Sequence, residues 1–146
     1  MSGRSGKEGP TPLESFYPVL LAEDVAASAR FYTAHMGFAP SFESDWYVSL
    51  RHRENPAYEL AIISCDHETI PEGFRQSTSA LLLNFEVPNV ESEYERLRKT
   101  GVEILQPLED LPAGQRHFIC RAPGGVMVDV IQEIAPSPEF AEQYLS

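Results

Sequence analysis

The sequence has few cysteines, few basic residues and no long hydrophobic run. Its 146 residues include two cysteines, Cys65 and Cys120, which are too few for a disulfide scaffold or a structural zinc site. With 11 basic and 22 acidic residues the net charge is −11, which argues against binding to nucleic acids or to an anionic membrane surface. No apolar run approaches the roughly 20 residues of a membrane span, and the first residues lack the apolar segment of a secretory signal. These absences predict a reduced, cytoplasmic protein.

Both ends of the sequence are typical of tails. Residues 1–14 are rich in Gly, Ser and Pro without a hydrophobic period, so we expect them to be disordered. Residues 15–134 are predicted to form a single domain. Residues 135–146 open with APSPE, in which the prolines stop a strand, and the FAEQYL segment is compatible with a short helix.

The sequence between the tails repeats itself once. Each copy begins with an apolar run, FYPVLLA or SALLLNFEV, followed by a residue suited to cap a helix, Asp24 or Asn89. Apolar residues at helical spacing come next, and Gly37 or Gly101 ends the predicted helix.

Three strand-like runs follow each of these glycines. They are FAPSFE, DWYVSLR and AYELAIIS in the first copy, and VEILQ, QRHFICR and VMVDVIQEI in the second. Each copy is therefore predicted to be a β-α-β-β-β module, the first at about 15–66 and the second at about 78–134. The alternative is a ferredoxin-like split βαβ unit with additional hairpins, which has two strands per helix rather than four.

Three segments together resemble the vicinal oxygen chelate superfamily, which includes glyoxalase I, the bleomycin and fosfomycin resistance proteins and the extradiol dioxygenases. The segments are YPVLLAEDVAASARFYTAHMGF (17–38), NFEVPNVESEYERLRKTGVEI (84–104) and GQRHFICRAPGGVMVDVIQ (114–132). The resemblance implies an α+β fold in which tandem βαβββ modules form a curved mixed sheet around a cavity. One helix lies on the convex side of each module, and family members commonly form homodimers.

Alternation along the strands indicates which side chains face this cavity. In the last strand, Asp129 lies on the face opposite the row of valines that packs under the helix. In DWYVSLR, alternation favours Tyr47 inside, but a shift caused by the long HRENP turn would favour Trp46, and both stay open. The predicted ligand-binding residues are Tyr17, Trp46, Tyr47, Glu59, Leu82, Asn84, Glu86, Gln115, His117, Ile119 and Asp129.

The resemblance also defines where a metal would bind. Metal-dependent relatives take ligands from four cavity positions, which match Tyr17, Glu59, Leu82 and Asp129 in this sequence. The usual ligands there are His or Gln, Glu, His and Glu. A phenol, a leucine and two carboxylates make a poor site for metals that prefer imidazole, so we predict no metal and no other cofactor.

The remaining histidines show no metal-ligand spacing. His35, His52 and His67 lack i, i+4 pairing and are expected to be solvated, whereas His117 is placed on the cavity side. The two strand carboxylates, Glu59 and Asp129, have an alternative interpretation as solvent-facing residues at an open sheet edge.

Two functions remain open from the sequence. The first is a small-molecule binding protein, similar to the bleomycin resistance branch with its role in antibiotic resistance, that sequesters an aromatic or cationic compound in a dimer cavity. The acidic residues Glu59, Glu86 and Asp129, together with Tyr17, would form a suitable acidic and aromatic pocket. The alternative is a glyoxalase-like or dioxygenase-like metalloenzyme with an atypical ligand set. The missing metal histidines favour the non-enzymatic binding protein.

Overall fold

The computed structural model describes residues 9–145, so most of the predicted N-terminal tail lies outside the described residues. Within them the chain alternates short strands with two main helices in the predicted order. The elements are β1 (Val19–Ala22), α1 (Val25–His35), β2 (Phe38–Glu43), β3 (Tyr47–His52), β4 (Glu59–Ser64), β5 (Ser79–Glu86), α2 (Val90–Lys99), β6 (Ile104–Leu111), β7 (Gln115–Arg121), β8 (Gly125–Glu133) and α3 (Pro138–Ala141), with a 3₁₀ turn at Glu72–Phe74.

The strands form two sheets of the same topology. Their orders are β1-β4-β3-β2 and β5-β8-β7-β6, and in each sheet the first strand of the module lies parallel to the last. Each helix therefore accompanies four strands, which confirms the α+β fold of tandem βαβββ modules and shows that the ferredoxin-like alternative is wrong.

The helices begin at the predicted capping residues. The side chain of Asp24 accepts a hydrogen bond from the Ala27 amide at 3.0 Å, and Asn89 accepts one from the Ser92 amide at 3.2 Å. Each cap satisfies an amide that has no partner within its helix, which typically stabilises the fold by ~1 kcal/mol. In α2 the acidic residues of the first turn and the basic residues of the last turn also complement the helix dipole.

The helices and the sheet faces beneath them share one core. Tyr32, Leu50, Leu97 and Phe118, drawn from both modules, are fully buried in it. The Phe38 and Phe85 rings lie 6.0 Å apart across the junction of the modules, and Arg96 in α2 donates a hydrogen bond to the carbonyl oxygen of His35 in α1. The opposite surface of each sheet, which neither α1 nor α2 covers, is called its helix-free face below.

The two sheets also meet along an edge. The Leu21 amide donates to the Thr78 hydroxyl at 2.8 Å, and the Thr78 amide donates to the Leu21 carbonyl oxygen at 2.8 Å. These bonds attach the free edge of β1 to the segment that enters β5.

The outer strands β2 and β6 are irregular in the same way. In β2 the pairing with β3 shifts between Pro40 and Phe42. In β6 the pairing with β7 shifts twice, and Pro107 lies inside the second bulge. Proline has no amide to donate, so it is tolerated in a sheet at an edge or at a bulge. The predicted strand VEILQ is therefore too short, because β6 continues through Pro107 to Leu111.

The C-terminal segment contains the short helix α3, which begins at Pro138, before the FAEQYL segment. Beyond it the Tyr144 hydroxyl donates a hydrogen bond to the Ala113 carbonyl oxygen. Across residues 9–145, no helix has both the length and the apolar character that a membrane span requires.

Candidate functional site

A buried imidazole and a buried carboxylate lie in contact on the helix-free face of the second sheet. Asp129 is 6% exposed and His117 is 7% exposed, and the Nδ1 atom of His117 lies 2.7 Å from Oδ1 of Asp129. The two residues are diagonal neighbours, because His117 pairs with Ile131 and Asp129 with Ile119 in the antiparallel β7–β8 ladder. An ionised carboxylate only accepts hydrogen bonds, so this contact places a hydrogen on Nδ1, and in the neutral ring the lone pair is then on Nε2.

The other ring nitrogen of His117 is buried without a partner. Nε2 makes no hydrogen bond to any described residue, and the nearest ionic group is the Glu109 carboxylate, with Oε2 at 3.9 Å. That distance is beyond hydrogen-bonding range. Glu109 is a residue of this site that the sequence interpretation missed, because the predicted strand ended before Pro107.

The neighbouring strand β5 adds polar side chains to the same face. Asn84 pairs with Asp129, and Glu86 pairs with Ile131, which in turn pairs with His117 on the other side. Direct partners in a sheet point to the same face. The second sheet thus brings together seven of the predicted residues on one face: Leu82, Asn84, Glu86, Gln115, His117, Ile119 and Asp129.

The first sheet presents fewer of the predicted residues. Glu59 is half-buried and faces Arg51, with 3.7 Å between the carboxylate and the guanidinium nitrogen. Tyr47 pairs with Ile63 and lies on the helix-free face. Trp46 precedes β3 and stacks on the His67 ring at 3.9 Å. Tyr17 precedes β1 and is 40% exposed.

A cavity of about 830 Å³ lies where the two modules meet. Its lining includes three predicted residues, Glu59, Asn84 and Glu86, and also Phe16 and Tyr58, which the sequence interpretation did not place there. Tyr58 directly precedes β4, which begins at Glu59, and its side chain is exposed. A second depression, of about 890 Å³, lies beside the start of α1 and contains none of the predicted residues.

The three histidines expected to be solvated are each partly enclosed. His35 has a buried Nδ1, and burial, together with the nearby Arg96 guanidinium, lowers its pKa. His52 packs edge-on against Phe38 with ring centroids 5.2 Å apart, and His67 stacks on Trp46. All three side chains are partly exposed, and aromatic neighbours cover part of each ring.

The four positions that bind metal in relatives do not fit a metal here. Leu82 has no donor atom, the Asp129 carboxylate accepts a bond from His117, and the Glu59 carboxylate faces Arg51. In the part of the chain that the structure describes, no three His, Cys, Asp or Glu side chains lie close enough together to hold a metal ion. The donor set therefore gives no basis for a metal-dependent step.

Neither cysteine is suited to act as a nucleophile. Both Cys65 and Cys120 are buried. Burial raises the pKa of both thiols, that of Cys120 to about 11. A thiol reacts as a nucleophile in its thiolate form, so both cysteines are poor nucleophiles at neutral pH.

The fold and the sequence both have recognisable relatives. Among solved structures the chain is similar to a glyoxalase/bleomycin resistance protein/dioxygenase from Nocardioides, with 20% identity, a TM-score of 0.72, and coverage of 92% of this chain and 93% of that one. It is also similar to TioX from Micromonospora sp. ML1 (17% identity, TM-score 0.66, coverage 83% and 99%). A third similar structure is the lactoylglutathione lyase from Agrobacterium tumefaciens, with 16% identity, a TM-score of 0.65, and coverage of 84% of this chain and 96% of that one.

At these identities the likenesses show the fold alone. Comparison with curated proteins gives no match. The family model described as the glyoxalase/bleomycin resistance protein/dioxygenase superfamily, in contrast, matches residues 16–130, most of the chain. The chain therefore belongs to the glyoxalase/bleomycin resistance protein/dioxygenase superfamily.

Proposed function

We propose that this chain is a small-molecule binding protein that sequesters an aromatic or cationic compound against its helix-free faces. The observation that carries the proposal is the mixture of exposed apolar and acidic side chains there. Leu82 is 42% exposed although it lies in the middle of β5, and Asn84 and Glu86 follow it on the same face. Large apolar side chains exposed next to convergent polar groups are typical of ligand sites.

The charge of the site supports a cationic ligand. Glu59 and Glu86 both line the cavity between the modules, and the chain as a whole has a net charge of −11. Aromatic rings such as Tyr58 line the same cavity and offer faces on which a cation or an aromatic ring packs favourably. An anionic ligand would meet repulsion at the same place.

We propose further that two copies of the chain associate and that the protein acts in the cytoplasm. The helix-free faces leave Tyr17, Val19 and Leu82 exposed, and a second copy would cover such surface and enclose the ligand. The alternative function, a glyoxalase-like or dioxygenase-like metalloenzyme, receives no support from the side chains at the metal positions, because they lack a convergent donor set.

Bleomycin is a suitable probe, because it combines an aromatic bithiazole with a cationic tail and because the family description includes bleomycin resistance. Isothermal titration should give saturable binding to the wild-type protein. The double variant Glu59→Gln/Glu86→Gln should bind about tenfold more weakly, the loss expected for weakened charge-assisted contacts. Glu95→Gln on α2 is the matched control and should bind as wild type. Absence of binding, or equal binding by all three proteins, would contradict the proposal.

A further inference from the structure

One nitrogen of the His117 ring is buried and has no hydrogen-bond partner among residues 9–145. A buried polar atom without a hydrogen bond typically costs ~1–3 kcal/mol. The Nε2 atom of His117 is in this situation, while Nδ1 of the same ring is held at 2.7 Å by the buried Asp129. The ring is therefore fixed in orientation, and its Nε2 atom lies 3.9 Å from the Glu109 carboxylate.

Two bulges in β6 bring Glu109 to this position. Between Ile104 and Glu109 the strand β6 advances five residues, while its partner β7 advances three, from Cys120 to His117. In a regular ladder, Pro107 would stand opposite His117. The two additional residues place Glu109 there instead, and bulges of this kind commonly redirect a side chain at a functional site.

The chemistry of the gap selects the ligand group. Nε2 of His117 and Oε2 of Glu109 lie 3.9 Å apart, too far for a direct hydrogen bond and close enough for one atom to contact both. Both atoms accept hydrogen bonds when the imidazole is neutral. The bridging atom must therefore carry at least two hydrogens, and the adjacent carboxylates of Glu109 and Asp129 favour a positive charge on it. A primary ammonium satisfies these conditions, and an amidinium satisfies them with adjacent N–H groups.

We infer that Glu109 and His117 form the anchor for a primary ammonium or amidinium group of the bound compound, with Asp129 positioning the imidazole. The inference rests on the proposed function and adds to it a second contact for the cation, on the face of the second sheet that also carries Glu86, and the class of the cation. Glu109 is the solvent-accessible member of the group, with its side chain 51% exposed. A ligand would therefore meet Glu109 first.

The test uses benzylamine as the probe and benzyl alcohol as its uncharged counterpart. Binding is followed by long-range ¹H–¹⁵N NMR of the imidazoles, which is tractable because the chain has four histidines. Benzylamine should shift the Nε2 resonance of His117 and bind at least tenfold more tightly than benzyl alcohol. Glu109→Gln should weaken benzylamine binding about tenfold or more, as expected for loss of a charged hydrogen-bond acceptor. Glu95→Gln, with a similarly exposed carboxylate on α2, should bind as wild type.

Two results would overturn the inference. One is equal affinity for benzylamine and benzyl alcohol, and the other is an unchanged affinity in Glu109→Gln. His117→Gln provides a second variant, but its site is buried, whereas Glu109→Gln changes an exposed residue and keeps the test valid if His117→Gln fails to fold. Parallel titration with bleomycin separates the two proposals. If bleomycin binds but benzylamine binding does not depend on Glu109, only the proposed anchor is contradicted. If benzylamine binds in a Glu109-dependent way but bleomycin does not bind, only the proposed sequestration function is contradicted.

Discussion

Truncation of Asp129 should destabilise the protein far more than truncation of Glu59, although both are carboxylates on the last strand of their module. Asp129→Ala removes the only hydrogen-bond partner that the His117 ring has within residues 9–145 and leaves both of its nitrogens without a hydrogen bond there. Losing a bond to a charged group costs ~1.5–3 kcal/mol, and the orphaned buried donor adds to this. We expect the free energy of unfolding to fall by about 3 kcal/mol.

Glu59→Ala is the comparison. Its carboxylate is half-buried, and its ion pair with Arg51 is 3.7 Å long and partly exposed, so solvent screens it strongly. Pairs of this kind contribute ~0–1 kcal/mol. Asp129→Asn is the conservative control, because its side-chain oxygen still accepts from Nδ1 of His117, and it should lose about 1 kcal/mol.

Urea unfolding, monitored by circular dichroism, measures the free energy of unfolding of each variant. The measurement is repeated at several protein concentrations to detect association. With an m-value of about 2 kcal/mol per molar urea, Asp129→Ala should lower the midpoint by about 1.5 M, and Glu59→Ala by less than about 0.5 M. If Asp129→Ala stays within 1 kcal/mol of the wild type, the pair with His117 does not hold this part of the fold together, and the reasoning fails.

Four further predictions follow from the same structure. Asp24→Ala and Asn89→Ala should each lower stability by about 1 kcal/mol in thermal or urea unfolding, and no loss would show that the caps are dispensable. Light scattering coupled to size-exclusion chromatography should give twice the chain mass at micromolar concentration, and a monomer would contradict association through the helix-free faces. Added Zn²⁺ or Ni²⁺ should leave the melting temperature unchanged, whereas a tight ligand at a hundredfold over its dissociation constant would add ~2.7 kcal/mol. Because burial raises the pKa of Cys120 to about 11, iodoacetamide at pH 8 should alkylate this thiol much more slowly in the folded than in the urea-unfolded protein.

Local rules were enough to predict the architecture. The caps Asp24 and Asn89 and the glycines that end the helices depend on contacts within a few residues, so the sequence pattern contains them directly. Strand alternation also predicted the face of Asp129, whereas the face of His117 was predicted from the expected register of its strand against the last strand.

The contacts of the site depend on register, and the sequence pattern does not contain it. The His117–Asp129 bond requires that β7 and β8 pair so that the two residues are diagonal neighbours. Glu109 reaches the same place through two bulges, each of which reverses the alternation of the residues that follow. A sequence interpretation that stops the strand at Pro107 therefore misses the carboxylate nearest to the imidazole.

The proline-marked bulges of the outer strands also have a consequence for how copies of this chain can aggregate. β2 and β6 are the terminal strands of their sheets, and an unpaired edge is a template for the strand of another molecule. Pro40 and Pro107 each remove a donor from that edge, and the bulges beside them break the even spacing that a regular ladder needs. These features disfavour strand-by-strand polymerisation at either outer edge, although apolar side chains such as Leu82 are exposed on the sheet surface.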